Sequence, residues 1–339
     1  MLEYLKDLCL LDGTSGREDK VREYIISKIK DKCDYTVDPM GNLIATVKGS
    51  KTAKNKVMLS AHMDEVGFIV TYICDNGFLK FASVGGIDSK VVNGRHVTVG
   101  ENRISGVIAS KALHLCEGDE EHKVSELSKL YIDIGASSKE EAEKLVEIGD
   151  SVYFKSDFVE FGNGKIKAKA IDDRFGCAIM LKMIEMKPEF DATFAFLVQE
   201  EVGLRGAGPA AFTIKPDYAI VLEATTASDI AFVSDEDSVC KQGKGAVVSF
   251  MDRSTVYNRD MFKGAFRIAE EKNINIQPKT AVAGGNDAGA IHKSCGGVYT
   301  ITVSLPCRYI HSGTSVADKK DMNDCYNLAE ALLEEYANA

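Results

Sequence analysis

The chain has 339 residues, of which 45% are apolar and 27% charged, with a formal net charge of −10 at pH 7. That length suits two domains better than one core, and the acidity argues against nucleic acid, whose phosphates need clustered positive charge. No run approaches the ~18 apolar residues of a membrane span, residues 1–7 lack the basic-then-apolar pattern of a signal peptide, and the nine cysteines lie scattered without a C-x-x-C pair, so the expectation is a reduced cytoplasmic protein without membrane contact and without a zinc–thiolate site.

Along the chain, Ser15-x-x-Glu18 has the form of a capping box, and Val21, Tyr24, Ile25, Lys28 and Ile29 follow at helical spacing. Residues 57–61 are a short apolar run that reads as a buried strand, and 192–198, 218–222 and 298–303 repeat the type. Runs of this kind suit a sheet covered on both faces. Helical patterns at 175–186, 257–271 and 324–336 alternate with them, which predicts an α/β sandwich. The stretch 70–163 differs. It holds short β-like pieces (67–74, 78–84, 96–99, 106–110, 131–134 and 151–154), a polar segment at 116–128, and one helix at 138–146 opened by the box Ser138-x-x-Glu141. The reading is a small β-rich domain at 70–163 inserted into an α/β domain made of 1–69 and 164–339.

Candidate chemistry gathers where strands end, as it does in α/β proteins. Ser60-Ala61-His62-Met63-Asp64-Glu65 closes the first buried strand. A histidine there can ligate a metal, and a carboxylate two residues on can fix its surroundings. Ala170-Ile171-Asp172-Asp173-Arg174 opens a helix, where Asp is also stabilised by the helix dipole alone. Gln199-Glu200-Glu201-Val202-Gly203 follows an apolar strand. Neighbouring acids at such a place can divide two jobs, one binding metal and one taking a proton from water. Glu223 closes a further strand, and Arg308-Tyr309-Ile310-His311-Ser312 follows the last. Gly284-Gly285-Asn286-Asp287-Ala288-Gly289 is a glycine-rich turn with neither P-loop nor dinucleotide spacing, suited to a substrate-binding loop. Each motif alone has an ordinary structural reading. Together they offer two histidines, several carboxylates and no thiolate, the donor set of a hydrolytic two-metal centre.

At these residues the sequence resembles the M42 family of metalloaminopeptidases, which includes the tetrahedral (TET) and glutamyl aminopeptidases. The resemblance runs from Thr14-Ser15-Gly16 through Ala61-His62-Met63-Asp64-Glu65-Val66-Gly67, Asp172-Asp173-Arg174, Glu200-Glu201-Val202-Gly203 and Gly284-Gly285-Asn286-Asp287-Ala288 to Arg308-Tyr309-Ile310-His311-Ser312. It implies a mixed-sheet α/β/α sandwich of the zinc-peptidase type with an inserted barrel- or PDZ-like dimerisation domain. It implies two divalent ions per subunit, zinc or cobalt with manganese as an alternative. His62, Asp172 and Glu223 would hold one, and Asp172, Glu201 and His311 the other. Glu200 would be the general base and Asp64 the partner that orients His62. Peptides would be the substrates, and the chain would form dimer-based homo-oligomers up to dodecamers. Two positions depart from the family pattern: Glu223 stands where the best-known members have Asp, and Ser315 where many carry Glu. The donor set by itself also fits a related binuclear amidohydrolase, such as a deacylase or carboxypeptidase, and a catalytically silent binding protein of the same fold.

Overall fold

The computed structural model describes residues 1–116, 118 and 123–339, so part of the polar 116–128 segment lies outside the described residues. Helices α1 (Leu2–Leu10) and α2 (Asp19–Ile29) precede the hairpin of β1 (Asp34–Val37) and β2 (Leu43–Val47), then β3 (Val57–His62). Next come β4 (Gly67–Ile73), β5 (Leu79–Val84), β6 (His96–Val99), β7 (Ile104–Ala109), β8 (Tyr131–Asp133), the short helix α3 (Lys139–Ala142) and β9 (Ser151–Phe154). The chain returns through β10 (Val159–Phe161) and β11 (Lys165–Ala168) to α4 (Ile171–Met186), β12 (Ala192–Leu197), α5 (Ala207–Ile214), β13 (Tyr218–Thr226) and β14 (Ala246–Val248). It ends with α6 (Arg259–Glu271), β15 (Ile276–Pro278), α7 (Ala288–Ile291), β16 (Tyr299–Arg308), β17 (Ser315–Asp318) and α8 (Lys319–Asn338).

An eleven-stranded mixed sheet runs in the order β1-β2-β12-β3-β13-β16-β17-β11-β10, with β14 and β15 attached beside β16. Its centre is parallel: β12, β3, β13 and β16. These are the apolar runs, and their alternate residues face opposite sides. Val57, Leu59 and Ala61 of β3 pack into the core with α1, α2, α4 and α8, whereas Met58 packs with α5 and α7. In β12, Phe194 and Phe196 take the first side and Ala195 and Leu197 the second. The result is an α/β/α sandwich.

Strands β4-β5-β8-β7-β6-β9 close a separate barrel with its own core, in which Phe68 meets Phe81 and Phe154 edge-on at centroid separations of 5.0 and 5.3 Å. The barrel strands lie within 67–154, and β10, inside the 70–163 stretch expected as the insert, pairs with β11 in the large sheet. The second capping box forms in part: Ser138 Oγ accepts from Glu141 N at 3.3 Å, and the Glu141 carboxylate takes Ser137 N. The first does not form. Helix α2 starts at Asp19 without a side-chain cap, and Ser15 and Glu18 bond elsewhere. All nine cysteines are free. Among the described residues no helix is long and apolar enough to cross a membrane.

Candidate metal centre

Four of the site segments leave the same end of the sheet. His62 is the last residue of β3, Glu200 and Glu201 follow β12, Glu223 lies in the C-terminal half of β13, and His311 follows β16. Because these strands are parallel neighbours, residues far apart in sequence converge. The fifth segment is held from below. Asp173 accepts from His62 N at 3.2 Å and from Gly176 N at 3.1 Å, which ties the start of α4 to the end of β3. Gly176 permits that approach, since a Cβ there would lie 2.7 Å from Ala61 Cβ.

His62, Asp172 and Glu223 form one potential ligand group, and Asp172, Glu201 and His311 a second, with the donor atoms of each within 4.8 Å of one another. His62 Nε2 lies 3.3 Å from Asp172 Oδ1 and 3.7 Å from Glu223 Oε1. His311 Nε2 lies 3.4 Å from Asp172 Oδ2 and 3.3 Å from Glu201 Oε2. Two donors bound to one zinc ion at ~2.1 Å each can be no more than ~4.2 Å apart, and these four histidine–carboxylate spacings lie within that limit. The surroundings of each Nδ1 fit as well. His311 Nδ1 sits 2.8 Å from the Gly86 carbonyl, in the loop after barrel strand β5, and His62 Nδ1 sits 3.1 Å from the Asp64 carbonyl. A proton on each Nδ1 leaves both Nε2 lone pairs facing the carboxylates.

Asp172 Oδ1 is buried without a hydrogen-bond partner, an arrangement proteins avoid unless another group completes it. The electrostatics point the same way. Burial pushes Glu201 up to about 8, reinforced by the charge of Asp172 and opposed by His311. Burial likewise raises Glu223 well above the carboxylate range, with Asp172 adding to it. Glu200 rises through burial and through the charges of Glu223, Asp287 and Glu201. Asp287, the acid of the glycine-rich turn, is raised by burial to about 7, and its Oδ1 also lacks a partner. For His311 burial works downward, but Asp172 and Glu201 outweigh it and bring the ring to about 9. Ionised carboxylates at this density need cations. The donor set is nitrogen and oxygen only, which suits zinc, cobalt or manganese.

Asp64 is fully buried and does more than face His62 Nδ1 at 3.4 Å. Its Oδ1 accepts from Glu200 N at 3.0 Å, and its Oδ2 accepts from Glu201 N at 3.1 Å and from Ser15 Oγ at 2.6 Å. Burial alone would raise its pKa, but the bonds from His62, Ser15 and the Glu200 backbone hold it below the ordinary value. Glu18 accepts from Gln199 N at 3.1 Å. Both residues of the unformed capping box thus brace the turn that carries Glu200 and Glu201. Glu200 Oε2 stands 4.0 Å from His62 Nε2 and lines one cleft with Asp172, Glu223 and His311. Ser315 Oγ donates to the Tyr309 carbonyl at 3.2 Å and fastens the turn that carries His311. Left-handed backbone at non-glycine residues marks these same turns: Ala170, Gln199, Tyr309 and His311 all have φ between 53° and 60°. Ser15, Glu18, Gly86, Asp173 and Asp287 are supporting residues that no motif announced as such.

The family model described as M42 glutamyl aminopeptidase matches residues 41–328. A relative from Acetivibrio thermocellus with a provisional aminopeptidase name is 41% identical over 331 residues, covering 97% of each chain. An aminopeptidase from the archaeon Desulfurococcus kamchatkensis superposes with a TM-score of 0.93 at 37% identity, covering 98% of this chain and 94% of that one. The TET1 peptidase of Pyrococcus horikoshii, which can assemble into a tetrahedron or a large octahedral shell, superposes with a TM-score of 0.86 at 37% identity over 98% of both chains.

Proposed function

Since the chain belongs to the M42 family of glutamyl aminopeptidases, we propose that it is a cytoplasmic binuclear metal-dependent aminopeptidase that removes N-terminal residues from peptides through a Glu200 general base. The observation that carries the two-metal reading is the pair of ligand groups joined at Asp172, whose buried Oδ1 has no hydrogen-bond partner. In this reading His62, Asp172 and Glu223 hold one cation, and Asp172, Glu201 and His311 hold the other. Bound divalent cations would supply Lewis-acid polarisation of the peptide carbonyl and lower the pKa of the attacking water.

The rest of the work falls to side chains. Glu200, placed next to both groups, takes the proton from the attacking water and returns it to the leaving amine. Asp64 fixes the Glu200–Glu201 backbone and the His62 ring, so base and ligands keep one spacing. The substrate's free α-amine binds at the metal centre, which selects N-termini. The barrel is the proposed dimerisation unit, with dimers building larger homo-oligomers; sedimentation of the full chain tests this.

Two measurements test the chemistry. Glu200→Gln keeps the metal content and lowers kcat by ~10³ or more, the order of loss expected for a general base; near-normal turnover sinks that assignment. Aminoacyl p-nitroanilides are cleaved and their N-acetylated forms are not. The opposite pattern points to a deacylase-type amidohydrolase.

A further inference from the structure

The barrel reaches the sandwich at the second ligand group. After β5 the chain turns at Gly85–Gly86. Gly85 has φ of 87°, and a Cβ there would lie 2.9 Å from Val66 Cγ1 and 3.3 Å from Glu201 Cβ. Glycine alone adopts that backbone without strain and leaves that space free. One residue on, the Gly86 carbonyl faces His311 Nδ1 at 2.8 Å. A third contact comes from barrel strand β9: a Cβ on Gly313, in the turn that carries His311, would lie 3.2 Å from Phe154 Cβ. Glu201 and His311 are the two ligands that the second group does not share with the first.

The first group is held differently. His62 N donates to Asp173 and the His62 carbonyl accepts from Cys177 Sγ, at 3.2 Å each, while its Nδ1 faces the Asp64 carbonyl. All three partners belong to the sandwich. Exposure shows the difference: 37% of the His311 side chain is exposed, against 10% or less for the other four ligands. A ring with so little packing around it takes its direction from the partner on its second nitrogen, and that partner is a barrel carbonyl. The barrel has another seat on the sandwich, where Arg103 and Glu101 of the β6–β7 turn pair with Asp12 and Lys20, the latter at 2.9 Å.

We propose that the barrel is a working part of the second metal site: its Gly85–Gly86 turn and Phe154 position Glu201 and His311, so the seating of the barrel on the sandwich sets the affinity of that site and not of the first. This rests on the two-metal reading above and adds a positioning role for a domain that supplies no ligand. A shift of the barrel moves the Gly86 carbonyl and the Phe154 ring together, and the His311 ring turns with them. His62 keeps its three sandwich partners.

The test is a zinc titration of the metal-free full-length protein in chelator-buffered solutions, read by elemental analysis as ions bound per subunit. Gly313→Ala wedges the His311 turn away from Phe154, and Gly85→Ala strains its own turn and crowds Glu201. Each should weaken the second ion by ~10–100-fold, the range for losing a partner of a metal ligand, and leave the first unchanged. Arg103→Glu, which sets like charges together at the other seat, should weaken the same ion. His311→Ala retains the first site alone, and adding Gly313→Ala to it should change nothing. Circular dichroism checks that each variant is folded; should Gly85→Ala fail, the milder Gly313→Ala carries the comparison. Equal weakening of both ions overturns the proposal, as does a further loss in the His311→Ala background, an unchanged second ion in Gly313→Ala, or one in Arg103→Glu. A wild type that binds two ions while the variants behave like it removes only this proposal. A wild type that saturates at one ion removes the two-metal reading and this one with it.

Discussion

Two buried charge clusters meet at adjacent residues, and they are built on opposite principles. Glu65 turns towards α1. It accepts from Lys169 Nζ at 2.5 Å and from Gly13 N at 3.1 Å, with Arg174 Nη2 at 3.6 Å. Lys169 and Arg174 in turn donate to the Leu11 and Leu8 carbonyls at 2.7 Å each, and Arg103, from the barrel, pairs with Asp12 in the same group. Acid and base are matched there within the protein. Asp64, one residue earlier, belongs to the acid-rich group of Asp172, Asp173, Glu200, Glu201, Glu223 and Asp287, in which His62 and His311 are the positive groups in direct contact with the carboxylates. A cluster that compensates itself stabilises the fold; one that does not is the candidate for binding cations. The contrast separates structural from functional burial of charge better than burial alone.

The largest expected effect is on the matched side. Glu65→Gln leaves Arg174 buried without its carboxylate and Lys169 with only the more distant Asp12, and should cost ~3–5 kcal/mol of stability in denaturant unfolding, with metal or without. Glu223→Gln is the mirror experiment. It removes a carboxylate that the metal-free fold holds against its preference, so the metal-free protein should lose no stability. Metal affinity and kcat/KM should drop by more than the ~10–100-fold that loss of a mere supporting partner costs. If Glu223→Gln destabilised the metal-free protein as much as Glu65→Gln, the distinction between the clusters would collapse.

The pH dependence sharpens the same contrast. Glu201 titrates near 8 in the folded chain against an ordinary 4.5, and His311 near 9 against 6.5. Both values are raised, so the folded state holds more protons than the unfolded one between roughly pH 4.5 and 9. Stability from these groups is present at the acid end and lost as pH rises through that window. The metal-free protein should therefore show a falling Tm from pH 5 to 9, on the order of a few °C. Stabilisation by added metal should grow over the same range, because ligation needs the deprotonated groups. A metal-free Tm that rises with pH would contradict the crowding of carboxylates.

How much of this was readable in the sequence follows from what each segment is buried against. The central strands β3, β12, β13 and β16 announce themselves because they are buried on both faces along most of their length and mostly apolar. The edge strand β1 has four exposed residues and no alternation, and β14 and β15 have three residues each, too few for a period. The ligand candidates were legible because His62, the Glu200–Glu201 pair and His311 sit at or just beyond the ends of apolar runs, where sequence position and sheet position coincide. Glu223 was read as closing its strand, whereas β13 continues to Thr226. Gly86 escaped notice because its role arises from a chain crossing, a barrel carbonyl reaching His311.

Ser15 gives the smallest of these effects and the closest discrimination. Local spacing made it a helix cap; the fold makes it a donor to Asp64 at 2.6 Å, 49 positions away. Losing that bond in Ser15→Ala should cost about 1.5 kcal/mol, the low end for a hydrogen bond to a charged group, since Asp64 keeps its two backbone donors. A cap and a brace can cost the same stability, so stability alone does not separate them. A cap acts on α2 and leaves the metal centre untouched. A brace acts on the spacing of Glu200 and Glu201, so Ser15→Ala should also lower kcat, by less than about tenfold if one pK unit's worth of positioning energy is at stake, while Ser15→Thr, which keeps the hydroxyl, restores it. Stability lost with kcat unchanged would return Ser15 to the helix, and the turn at Glu200 would then rest on Asp64 and Glu18 alone.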